Sequence, residues 1–144
     1  MDAFEAVSLP ESSPRPARRS FTVAEADRAL VLVRRIVADI VRDYRRLCEL
    51  HRSFYRFDSR GSSAQAEEAR QEYVRLTDQL SELREELEEI GCELKDYERG
   101  LVDFPSQRQG RPILLCWKLG EDRVRHWHEI DAGFGGRQPI TEEA

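Results

Sequence analysis

In the stretch TVAEADRALVLVRRIVADIVRDYRRLCELHRSF, running from Thr22 to Phe54, apolar residues recur at alternating spacings of three and four. Val23, Ala26, Leu30, Val33, Val37, Ile40, Tyr44, Leu47, His51 and Phe54 form this seam. Such spacing places side chains on one stripe of a helix, here about 50 Å long at 1.5 Å per residue. Thr22 and Glu25 precede it as a capping box, each side chain satisfying a backbone N–H that the first turn leaves without a partner. No Pro or Gly interrupts the stretch before Gly61.

Outward from this helix, a second seam follows Ser62–Ser63: Ala66, Ala69, Tyr73, Leu76, Leu80, Leu83, Leu87 and Ile90, with Gly91 placed as a helix stop. Two long helices joined by some six to eight residues are expected to fold back antiparallel over residues 21–91. Equal seam lengths align Leu30 with Ile90, Tyr44 with Leu76 and Phe54 with Ala66. The second helix is a narrow stripe among charges that include Glu82, Arg84, Glu85, Glu86 and Glu88. The first also carries Ile36, Val41, Cys48 and Leu50 beside its seam. A face that wide needs a third covering element, either the C-terminal segment or a second copy of the chain. His51 is expected to be a small-ring spacer opposite Ala69.

After Gly91 the period changes to two. Residues 92–144 are expected to form a small antiparallel sheet of four strands packed on the hairpin, an α+β architecture. The strands are Glu93–Asp96, Leu101–Phe104 ended by Pro105, Pro112–Leu119 and Val124–Ile130. Tyr97 to Gly100 reads as a tight turn and Ser106 to Gly110 as a polar loop. Asp131 to Ile140, rich in glycine, reads as irregular. Residues 1–20, with Pro10, Pro14 and Pro16 and no apolar period, read as a disordered tail.

Composition narrows the function classes. The 144 residues carry a net charge of −5, 35% charged residues and a mean hydropathy of −0.66. No run approaches the roughly 18–20 apolar residues of a membrane span. Met1-Asp2-Ala3-Phe4-Glu5 has neither a basic nor an apolar leader region, so no secretory signal is expected. Cys48, Cys92 and Cys116 are too few and too scattered for a disulfide framework, which favours a reducing cytoplasm. Charge is uneven: nine bases and six acids in residues 21–60, then three bases and nine acids in residues 61–91. Attractive fields between adjacent helices are the simplest consequence. Nucleic acid is not an expected partner, since the basic helix lacks interleaved aromatics and no groove-reading motif is present.

The C-terminal motifs are familiar. Gly91-Cys92-Glu93-Leu94-Lys95-Asp96, Gly100-Leu101-Val102-Asp103-Phe104-Pro105, Leu115-Cys116-Trp117-Lys118-Leu119-Gly120-Glu121, Trp127-His128-Glu129 and Gly133-Phe134-Gly135-Gly136-Arg137-Gln138-Pro139 stand in fixed order, and Phe21-Thr22 with Glu25-Ala26 opens the domain. Over roughly residues 21–140 the chain resembles the prokaryotic family catalogued as domain of unknown function 2203. The resemblance implies no activity, substrate or catalytic residue.

Chemistry therefore has to come from the side chains. Phosphate loops, paired CxxC, HExxH and Gly-x-Ser-x-Gly elbows are all absent. Asp103 and Glu121, at strand ends, are candidate carboxylates without a supporting spacing. At the hairpin tip, Asp58 lies alone between Arg56 and Arg60, without the second carboxylate that metal chemistry would need. His126 and His128, two apart on a strand, face one side. If Leu119 pairs with Val124, Trp117 faces His126 and Leu115 faces His128, and no metal or other cofactor is expected. A slip of one residue would bring Cys116 to His126 and His128, a set suited to zinc. The preferred register keeps Ile113, Leu115, Trp117 and Leu119 on one face. The expected role is a soluble cytoplasmic interaction or assembly module, either a homo-oligomer (a dimer through helix one) or bound to a protein partner. The alternative is a small enzyme or ligand-binding protein. Its pocket would lie between the sheet and the glycine-rich terminal loop, built from Trp117, Trp127, His128, Glu129 and Arg137.

Overall fold

The computed structural model describes residues 19–60 and 63–141. The tail, apart from Arg19 and Ser20, and the tip residues Gly61 and Ser62 lie outside them. Two helices, α1 (Val23–Arg60) and α2 (Ser63–Ile90), precede five strands: β1 (Glu93–Asp96), β2 (Leu101–Arg108), β3 (Arg111–Lys118), β4 (His126–His128) and β5 (Gln138–Pro139). The strands form one antiparallel sheet in sequence order. The architecture is α+β, and among the described residues no helix is long and apolar enough to cross a membrane.

The capping box forms as its chemistry requires. Thr22 N donates to Glu25 Oε1 at 2.9 Å, and Glu25 N donates to Thr22 Oγ1 at 3.1 Å. The helices run antiparallel, because Gly91 at the end of α2 lies against Arg19 and Phe21 before α1. Midway, Arg46 clamps Glu72 through two bonds of 2.8 and 2.9 Å, and nearer the tip Phe54 packs its ring on Tyr73. Helix continues through Arg60 and resumes at Ser63, so the expected connection of six to eight residues is mostly helical. Arg84, read as part of the polar outside, is 5% exposed, with Glu88 3.5 Å away.

The sheet answers the wide face of α1. Leu94, Val102, Phe104, Ile113, Leu115, Trp117 and Trp127 face inward and share one core with Leu30, Val33, Ile36, Val37, Ile40 and Val41. Asp27 Oδ1 accepts the Val124 N–H at 2.7 Å, and Arg34 donates to the Asp122 carbonyl at 2.9 Å. Tyr97, in the β1–β2 turn, packs on Tyr44 with ring centroids 5.4 Å apart.

Three expectations for the sheet need correction. First, β2 does not stop at Pro105 but runs to Arg108, turning through Gln109 and Gly110, both at positive φ. This is the two-residue hairpin geometry in which left-handed residues match strand twist. Pro105 is tolerated because β1 pairs only as far as Asp103. On that open edge the Pro105 carbonyl accepts the Phe21 N–H at 2.7 Å, so no ladder donor is missed. Second, the β3–β4 register is the slipped one: Leu114 pairs with His128, Leu115 with Trp127 and Cys116 with His126. Trp127 is the one large apolar side chain of β4, and placing it inward turns both histidines to the outer face. Val124 is buried from the connecting loop, while Ile130 is 56% exposed. Third, the terminal segment is partly ordered, with a 3-10 turn at Phe134–Gly136 and then β5 paired to β4. Among the described residues the strands number five, not four.

Candidate functional site

The Gln109–Gly110 turn pairs Arg108 with Arg111, and the same register brings Asp103 opposite Cys116. The β3–β4 pairing adds His128 one row along. Three strands thus deliver an acid, a thiol and an imidazole to the outer face of the sheet. Their donor atoms all lie within 4.8 Å of one another, and the residues are 3%, 1% and 2% exposed. Residues 130–137 pass over this face. A cavity of about 180 Å³ lies beneath, with Asp103, Cys116 and His128 in its floor and Ile130, Gly133 and Phe134 along its outer side.

His128 is held at both nitrogens. Nδ1 lies 2.7 Å from the Glu129 carbonyl, which can only accept, so Nδ1 carries a proton. Nε2 lies 3.1 Å from Asp103 Oδ1. That contact is attractive only with one proton between nitrogen and oxygen. Burial pushes the Asp103 carboxyl above its usual range, against the pull of His128, Lys95 and Cys116. Burial, reinforced by Asp103, pushes the Cys116 thiol up to about 12. A Cys–His–Asp hydrolytic arrangement is therefore a poor fit. It needs a ring nitrogen free for the thiol and a thiol of lowered pKa, and neither condition holds.

Arg137 secures the overlying turn. Its Nη2 donates to both Glu121 carboxylate oxygens at 2.7 and 2.9 Å and to the Cys116 carbonyl at 3.3 Å. Burial alone would raise the Glu121 carboxyl; Arg137 and the Lys118 N–H outweigh it and hold it below the usual range. Phe134 is enclosed by cations, with the Arg99 and Arg137 guanidinium carbons 4.9 and 4.7 Å from its ring centre.

The residues named from sequence separate accordingly. His128 lines the cavity, and Arg137 stands behind Cys116. Trp117 and Trp127 lie on the opposite, helix-facing side of the sheet, because strand alternation puts them out of phase with His128. Glu129 is at the surface, bonded to Arg111 at 2.6 and 3.1 Å. His126 shares a row with Cys116, yet its Nδ1 lies 3.8 Å from Glu121 Oε2 and its side chain is 32% exposed. Asp103 takes the place that sequence reasoning gave to His126. Its signal was a lone charge inside the apolar run Leu101-Val102-Asp103-Phe104. Larger hollows, of about 440 and 320 Å³, flank the start of α1, where Asp27 is already bonded to Val124.

No curated protein and no solved structure matches the chain. The family described as Uncharacterized conserved protein (DUF2203) matches residues 19–140, which takes in the whole helical hairpin, all five described strands and the whole cavity wall; the chain belongs to that family.

Proposed function

We propose that the chain is a small-ligand-binding protein whose site is the cavity between the outer sheet face and the turn at residues 130–137. One observation carries this reading: three buried, chemistry-bearing side chains from three different strands converge on that cavity. Such convergence is unusual for a face with only packing to do, since buried polar groups cost free energy unless paired. At about 180 Å³ the space is below the ~300–1,000 Å³ of drug-sized pockets, so the fitting occupant is small. Leu114→Trp fills the cavity from the sheet side without removing any of the three donors. Native mass spectrometry of untagged protein, purified without chelator, is expected to show a small non-covalent adduct on wild type that this variant lacks. Identical spectra from the two proteins would overturn the proposal.

Assembly through helix one is a second reading. It draws on Val31 and Leu32, adjacent on α1 and 73% and 50% exposed. A two-chain mass in sedimentation velocity, halved by Leu32→Asp, would support it. A single-chain mass for both proteins would retire it. A reducing cytoplasmic setting, in keeping with three buried cysteines that form no disulfide, belongs to the same proposal.

A further inference from the structure

We infer that Asp103, Cys116 and His128 form a binding site for one zinc-type divalent ion. The inference rests on the cavity being the functional site and names its occupant. Thiolate, imidazole and carboxylate together select borderline-soft ions such as Zn²⁺ and Co²⁺ over Mg²⁺ or Ca²⁺, which prefer oxygen alone.

Four observations converge on it. The first is size. The three side chains are 1–3% exposed, so only something atom-sized reaches all of them. The second is spacing. Bonds of about 2.3 Å to sulfur and about 2.0–2.2 Å to nitrogen and oxygen set tetrahedral donors about 3.3–3.8 Å apart. The His128–Asp103 pair is at 3.1 Å and the three donor atoms all lie within 4.8 Å of one another, so closing on an ion needs side-chain movement of about an ångström.

The third is orientation. His128 Nδ1 donates to the Glu129 carbonyl, which fixes the ring with Nε2 toward Asp103 and Cys116. Metal-binding histidines are characteristically held by such a bond on the other nitrogen. The fourth is charge. Asp103 and Cys116 as anions match a divalent ion, and the nearby cations are already engaged, Arg137 by Glu121 and Lys95 by Glu93 at 2.8 Å. On binding, the Cys116 thiol proton and the proton between His128 and Asp103 leave, and the ion takes their place. Three protein donors leave a fourth position for water or a small anion from the cavity.

The test is Co²⁺ titration of the reduced full chain, followed by displacement with Zn²⁺. The expected result is one ion per chain, with a near-ultraviolet thiolate-to-cobalt band that zinc abolishes. The band is lost in Cys116→Ser and His128→Gln, and it is kept in His126→Ala and in Cys48→Ser. Circular dichroism identifies any variant that fails to fold. Wild type alone decides if variants do fail: without a thiolate band the inference is overturned. A band that survives in folded Cys116→Ser overturns it too. Absence of metal binding with a Leu114→Trp-sensitive adduct removes the zinc site and leaves the cavity reading standing. Absence of both removes both.

Discussion

Gly100, at φ 72°, is where the β1–β2 turn meets α1, and a Cβ there would lie 2.8 Å from Val37 Cγ1 and 2.9 Å from Leu119 Cβ. Both atoms belong to side chains packed in or against the core, so neither can yield cheaply. Gly100→Ala combines left-handed strain with overpacking and is expected to cost about 1–3 kcal/mol. Gly120→Ala supplies the control: its φ is also positive, but no atom lies within 4 Å of the added carbon. Urea unfolding should show a lower midpoint for Gly100→Ala than for Gly120→Ala, with slopes unchanged. Equal midpoints would mean that the turn stands away from α1. At this scale sequence was partly informative. The left-handed glycine was legible from Tyr97-Glu98-Arg99-Gly100, because a tight turn requires that backbone. The partnership of Asp103 with His128 was not, because it depends on two strand registers at once.

Elements differ in how openly they declare themselves. The helices were legible because a period of three and four, sustained over many turns, has one physical solution. Leu80, fully buried on α2, tests that solution: Leu80→Ala is expected to cost about 2–5 kcal/mol, as a mid-seam cavity should. A cost below about 0.5 kcal/mol would place Leu80 outside the helix interface. The sheet was harder to read. Pro105 read as a strand end, since nothing local reveals that its N–H side faces an unpaired edge. In β4, with three residues, alternation was too short to show that Trp127 outranks the flanking histidines for the inner face. The terminal turn is tied by Arg137 to Glu121, whose carboxyl is held below the ordinary value of about 4.3. Its contribution to stability is therefore complete above that value and lost as pH falls through the folded-state pKa. Glu121→Gln should lower Tm near neutrality and leave it close to wild type in acid, which flattens the acid limb of a Tm-against-pH curve. Unchanged curvature would show that the Arg137 clamp contributes nothing.

Across the whole molecule, the candidate site and the hairpin lie on opposite faces of the same sheet. Val102, Leu115 and Trp117 pack toward α1, while Asp103 and Cys116 alternate with them toward the cavity. An ion held by β2, β3 and β4 would therefore clamp the strands that also complete the helical core. If sheet and hairpin unfold together, zinc at about one hundred times its dissociation constant should add about 2.7 kcal/mol to global stability. The expected thermal scan is a single transition that moves upward with zinc and does not move in Cys116→Ser. The sheet and α1 share one continuous core, and Asp27 and Arg34 bind the β3–β4 connection directly, so a joint transition is the outcome the packing predicts. Two transitions, with only one responding to zinc, would instead mean that the sheet is a separable unit resting on an independently stable hairpin. Hydrogen exchange then identifies the responding element. Amides of β2 and β3 should gain protection with zinc, and if the core is continuous those of α1 between Leu30 and Val41 should gain with them. Protection confined to the strands would break the link between site and hairpin, leaving α1 a support that does not sense what the cavity holds.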